Sequence, residues 1–175
     1  VKKILQNEYY HPEISTDIVG AEICAATKNI YATIIGSAIG QANDYLSESN
    51  KAKNYFNAAS ALFQQSIHEM NEIVKKFNGK TSTVLGPAGT GDLYVSALGG
   101  RNSKMGAFLG KGLLYKNIIN SKMKGITVEG SELMLDVGPL LLNHVGKQKL
   151  PLASLLLDSL IKNKKLNIDW KKITN

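Results

Sequence analysis

IVGAEICAATKNIYATIIGSAIGQANDY, residues 18–45, is long, apolar on most sides and free of proline. A stretch of that length without period-two alternation predicts a buried central helix. Asp17, immediately before it, is a candidate N-cap, since its carboxylate can accept the unpaired N–H groups of a first helical turn. Gly36 and Gly40 stand four residues apart and share a face. Glycines there can bend a helix or let a second helix come close, and close packing is the preferred reading. Residues 29–43 carry no charge but number only fifteen, short of the roughly 18–20 that a membrane span needs. No membrane is expected.

The remaining segments also read as helices. Residues 1–17, with Tyr9, Tyr10, Pro12 and Ile14, form an extended lead-in. A second helix is expected from a cap at Ser49 or Asn50 to about Phe77, on a stripe of Phe56, Leu62, Phe63, Ile67, Met70, Ile73 and Val74, with Asn78-Gly79 ending it. Shorter helices are expected from about Ser82, from Asp92, over Arg101–Leu109, Leu114–Lys122, Thr127–His144 and Leu152–Asn163, with Pro139 kinking or breaking the fifth of these. The expectation is one all-α domain over residues 18–175.

Composition bounds the function. The chain has 175 residues, 43% of them hydrophobic, enough for one sizeable core. Beginning at Val1, it is expected to be a processed product or a fragment. Its 21 basic and 14 acidic residues give +7, but the lysines sit largely as separated pairs (Lys2-Lys3, Lys75-Lys76, Lys164-Lys165, Lys171-Lys172). Scattered surface charge is the first reading, a site for small anions the second. Trp170 and eleven Tyr and Phe make no stacking platform, so no nucleic acid partner is expected. Cys24 is the sole cysteine, so no disulfide framework and no cysteine-based zinc site are expected, and a reduced, cytoplasmic setting fits; within an apolar helix it reads as a buried structural thiol. His11, His68 and His144 are far apart and form no ligand motif, so no metal is expected. The short apolar run after Lys2 and Lys3 does not make a signal peptide.

GPAGTGDLYVSALGGRN, residues 86–102, is a candidate stretch for chemistry. Gly86 to Gly91 has the spacing of a phosphate-binding P-loop, but Asp92 stands where that loop needs lysine. A dinucleotide fingerprint also fails, because Tyr94 occupies the third glycine position after Gly89 and Gly91. Asp92 is therefore either a helix cap or a functional acid. Lys28 lies mid-way along the most apolar helix, where it either snorkels to the surface or lines a polar cleft beside an acid. Arg101 and Asn102 follow a double glycine at a helix start, which is either a plain surface arginine or a phosphate site made of a guanidinium and free N–H groups.

Three stretches in this order, VGAEICAATKNIYA (19–32), GPAGTGDLYVSALGGRNSKMG (86–106) and TVEGSELM (127–134), resemble the C-terminal domain of NAD(P)-dependent glycerol-3-phosphate dehydrogenases. The resemblance covers roughly residues 10–160. It implies a multihelical fold like the C-terminal domain of 6-phosphogluconate dehydrogenase, and interconversion of glycerol 3-phosphate and dihydroxyacetone phosphate by hydride transfer. It implies Lys28 and Asp92 as catalytic residues, and Gly100, Arg101 and Asn102 as holding the substrate phosphate; Ser96, one turn after Asp92, is expected as a further hydroxyl contact. Arg101, Thr127 and Glu129 would meet the cofactor, NAD or NADP. Most of that cofactor's surface would belong to an N-terminal dinucleotide-binding domain absent from this chain, so the chain alone should be inactive. A homodimer is also implied. The sequence departs from the family where Asn57-Ala58-Ala59-Ser60-Ala61 lacks the usual lysine, and where Gln64 or Gln65 replaces a basic residue. A related dehydrogenase for another hydroxy acid or phosphorylated substrate, and a non-catalytic helical module for dimerisation or for acidic partners, remain open on the residues alone.

Overall fold

The computed structural model describes residues 1–42 and 48–173, with side chains described outside 48–55 and 172. Among the described residues every regular element is helical: α1 (Lys2–Leu5), α2 (Ile18–Ala42), α3 (Glu48–Lys76), α4 (Thr81–Leu85), a π-helical turn (Pro87–Gly91), α5 (Asp92–Leu98), α6 (Gly100–Gly110), α7 (Tyr115–Asn120), α8 (Glu129–Val145), a 3-10 turn (Lys147–Lys149), α9 (Pro151–Ile161) and α10 (Trp170–Ile173). The lead-in differs from expectation by the one helical turn of α1. The expected end of α2 near Tyr45 lies outside the described residues, and α3 already begins at Glu48, so Ser49 and Asn50 are within its first turn rather than before it.

α2 is the axis of the domain. Its 25 residues are long and apolar enough to cross a bilayer, but its second half is enclosed by α3, α5, α6 and α8. Tyr31, Ile34, Met70, Leu93, Met105 and Met134 meet around it with almost no exposure. Burying each such side chain contributes about 1.5–3 kcal/mol. Cys24 is fully buried, and that burial pushes its thiol up to about 11, so it is an inert core residue.

Glycine sets the closest contact. A Cβ on Gly36 would lie 2.3 Å from the Ser103 carbonyl oxygen, and one on Gly40 would lie 2.1 Å from that of Ala107. In return, Gly106 and Gly110 of α6 face the Thr33 and Ser37 carbonyls at 1.9 and 2.0 Å on the same measure. The partners advance together along both helices, so α2 and α6 run parallel. Each bears two glycines one turn apart, and their Cα–H groups point at the other helix's carbonyls.

Asp17 caps α2 as its position suggests, with Oδ1 accepting the Gly20 N–H at 3.0 Å. Its Oδ2 also accepts the Lys80 N–H at 2.8 Å and the Thr83 hydroxyl at 2.6 Å. These bonds, that from Thr83 foremost, hold its carboxyl below the usual range. Asn78 ends α3 at φ 62°, with the Gly79 N–H reaching back to the Val74 carbonyl at 2.9 Å.

Two expectations need correction. α8 runs unbroken through Pro139; the proline is exposed, so the backbone group it leaves without an intrahelical partner can be hydrated. Phe56 is 65% exposed, because the α3 stripe starts before the core that covers its later members.

Candidate active site

The glycine-rich segment forms a turn with a definite job. Gly89 sits against the Val84 carbonyl, where a Cβ would approach to 2.1 Å. The Thr90 hydroxyl donates to the same oxygen at 2.9 Å. The chain therefore folds back on α4 and enters α5 directly. Asp92 is the first residue of α5 and makes no capping bond with its side chain. Its carboxylate is paired instead with the Lys28 ammonium across 64 positions of sequence. Of the two readings of each residue, the lysine meets its acid and the acid does not cap. Both side chains are only partly covered, at 22% and 39% exposure, so the pair opens toward solvent.

A second cluster adjoins the first. Gly130 packs on the Asn29 carbonyl, with a notional Cβ 2.3 Å away, which brings the start of α8 against α2. There the Asn102 amide is bound on both sides: Nδ2 donates to Asn29 Oδ1 at 3.0 Å and to Glu129 Oε2 at 3.4 Å, while Oδ1 accepts the Gly130 N–H at 2.9 Å. Arg101 forms an ion pair with Glu129 Oε1.

Lys28 and Asn29 of α2, Ser96 of α5, Gly99 to Asn102 at the start of α6 and Glu129 of α8 together line a cavity of about 290 Å³. Gly100 turns into α6 at φ +93°, a conformation side chains disfavour, and a Cβ there or on Gly99 would meet nothing within 4 Å. That leaves bare backbone beside a cation. Six of the eight residues singled out in the sequence, Lys28, Ser96, Gly100, Arg101, Asn102 and Glu129, line this one cavity, and Asp92 joins it through Lys28. Thr127 is exposed ahead of α8 and is not among the lining residues. Asn29 was missed, although it directly follows Lys28 in the same motif.

A buried acid was missed as well. Glu69 of α3 has no exposure. Its carboxylate accepts the Leu152 and Ala153 N–H groups at the start of α9 (2.7 and 3.1 Å), the Tyr31 hydroxyl (3.2 Å) and the Gln65 amide (3.3 Å). Burial outweighs these bonds and pushes its carboxyl up to about 7. It joins α3 to the start of α9 and, through Tyr31, to α2. Among the described residues no group of His, Cys, Asp and Glu could hold a metal ion.

The family model for the NAD-dependent glycerol-3-phosphate dehydrogenase C-terminus matches residues 17–169. The chain belongs to that family. The match opens on Asp17, the first buried residue. The chain is 38% identical over 113 residues to an NADP(+)-dependent glycerol-3-phosphate dehydrogenase of Archaeoglobus fulgidus, covering 65% of this chain and 32% of that protein. It is 37% identical over 133 residues to the glycerol-3-phosphate dehydrogenase [NAD(P)+] of onion yellows phytoplasma, covering 74% of this chain and 36% of that one. A solved glycerol-3-phosphate dehydrogenase from Coxiella burnetii superposes with a TM-score of 0.73 at 26% identity, over 98% of this chain and 48% of that one. The enzyme from Saccharomyces cerevisiae gives 0.78 at 20% identity, over 99% and 47%, a likeness of fold. The family member described here thus spans about a third of the curated relatives' length and just under half of the solved chains.

Proposed function

We propose that this chain is the substrate-binding and catalytic domain of a dehydrogenase that interconverts sn-glycerol 3-phosphate and dihydroxyacetone phosphate with NAD or NADP. The observation that carries the reading is the Lys28–Asp92 pair at a cavity also lined by Arg101 and Asn102.

Reducing a ketone builds negative charge on its oxygen. Lys28 as an ammonium stabilises that charge and delivers the proton; in the reverse direction its neutral amine accepts the proton of the alcohol. Asp92 holds the lysine in place. Arg101 and Asn102, with the N–H groups at the start of α6, hold the phosphate, and Ser96 offers its hydroxyl to the rest of the substrate. That grip fixes the reacting carbon relative to Lys28. The nicotinamide cofactor supplies the hydride when bound. This chain's residues fit one edge of it, where the bare backbone of Gly99 and Gly100 adjoins the half-exposed Arg101 and Glu129. Thr127 lies two residues before Glu129 and belongs to the same approach. An N-terminal dinucleotide-binding domain would hold the remainder, and a homodimer is the proposed assembly.

The test is a pair of variants in the full-length protein. Lys28→Ala should cut kcat by roughly 10²–10⁴ while leaving inorganic phosphate binding close to wild type. Arg101→Ala should raise KM for the phosphorylated substrate about 10–100-fold, the worth of a charged hydrogen bond. Undiminished turnover in Lys28→Ala would sink the assignment.

A further inference from the structure

We infer that Glu129 is a built-in occupant of the phosphate subsite, an anion that the substrate's phosphate must displace. The inference rests on the reading of Arg101 and Asn102 given above and adds what determines their selectivity.

The donors are already in use. One oxygen of the Glu129 carboxylate takes the Arg101 guanidinium and the other takes the Asn102 amide. A carboxylate with its two oxygens on those two groups occupies the positions of two phosphate oxygens. Charge supports the same conclusion. Lys28 is offset by Asp92 and Arg101 by Glu129, so the cavity presents two cations and two anions. A dianion entering it engages the unpaired charge of Arg101 only once Glu129 withdraws.

Withdrawal is inexpensive on three counts. The ion pair is well solvated, with side-chain exposures of 56% for Arg101 and 39% for Glu129, and exposed pairs are weak. The Asn102 contact is long at 3.4 Å, while shorter bonds to Asn29 and from Gly130 hold the amide in place without it. Glu129 is also the first residue of the 17-residue α8 and has no side-chain cap before it, so the helix dipole favours its negative charge when Arg101 has left.

Selectivity follows. A phosphate reaches Arg101 and Asn102 together and replaces both contacts of Glu129, whereas a small monocarboxylate replaces them without gain. Glu129 is thus a specificity-determining residue that raises the threshold for anions at the subsite.

The experiment measures inorganic phosphate and acetate binding calorimetrically, at constant ionic strength, for full-length wild type, Glu129→Gln, Glu129→Ala and Arg101→Ala. Glu129→Ala is included because glutamine can still accept from Arg101. Both Glu129 variants should bind phosphate roughly two- to five-fold more tightly, and the ratio of phosphate to acetate affinity should narrow. Phosphate binding that is unchanged or weaker in both, alongside a loss in Arg101→Ala, overturns the inference and leaves the proposed function standing. Wild-type phosphate binding insensitive to Arg101→Ala overturns both.

Discussion

α2 and α6 each have a chemical end and a packing end. Lys28 and Asn29 precede Gly36 and Gly40 on α2; Arg101 and Asn102 precede Gly106 and Gly110 on α6. At the packing end the two backbones touch through glycine with no side chain between them. At the chemical end the same helices line a cavity and are joined by a side-chain hydrogen bond from Asn102 to Asn29, with Arg101 in an ion pair to Glu129 of α8. The first contact is rigid because backbone cannot yield; the second is exchangeable because its ion pairs are half in water. The difference teaches how precision reaches an open site: the glycine seam, one to two turns away, sets the register of Lys28 and Asn29 on α2 against Arg101 and Asn102 on α6.

The most severe way to break this comparison is Gly106→Ala. Its methyl would stand 1.9 Å from the Thr33 carbonyl oxygen, so the helices must part. A loss of about 3 kcal/mol or more is expected from overpacking, read by denaturant unfolding of the full-length protein. Phosphate affinity should fall as well, although Gly106 lines no cavity. An unchanged midpoint with intact phosphate binding would mean that the seam does not govern the site.

A second measurement probes the packing side through Glu69. With its carboxyl raised from the usual 4.5 to about 7, the folded state holds this proton more tightly than the unfolded one. The group's contribution is therefore most favourable below about pH 4.5 and is lost as pH rises through 7. Between those limits the wild type should lose on the order of 3 kcal/mol that Glu69→Gln does not lose. Stability curves of equal slope for the two proteins would show that Glu69 ionises freely in the core.

Gly100→Ala should be the mildest. No atom lies within 4 Å of the added methyl, but φ is +93°, so the cost is conformational alone, about 1–2 kcal/mol. Its effect should show mainly in phosphate binding, since it re-aims Arg101. A larger unfolding penalty than that of Gly106→Ala would invert the comparison.

Much of this was legible in the sequence, for reasons that differ by residue. The α2 helix, the Asp17 cap and the Asn78 stop are local signals, carried by neighbours along the chain. Lys28, Asp92, Arg101 and Asn102 stand out in the sequence because three motifs occur in a recognisable order, and the fold brings them to one place. The pairings were less so. Gly106 and Gly110 repeat the spacing of Gly36 and Gly40, but nothing local says that the two pairs meet. Arg101 and Glu129 were each read toward a ligand, not toward each other. Asp92 had the position of a cap, and only the third dimension gave it a stronger partner. Glu69 shares a helical face with Leu62, Ser66 and Ile73, so its spacing marked it as inward-facing while its charge argued against it.

Asp17 has a consequence of another kind. Its one carboxylate receives Gly20 at the start of α2 and Lys80 and Thr83 at the start of α4, so the chain that leaves at residue 17 is fastened where it returns, more than sixty positions later. In topological terms the α2–α3 arm is a ring with a clasp. A clasp of this kind ties the two ends of the arm to one carboxylate. It is also the ring's point of sensitivity to acid: its carboxyl sits low, so the tie holds above the ordinary carboxylate range and is lost as pH falls through the lowered value.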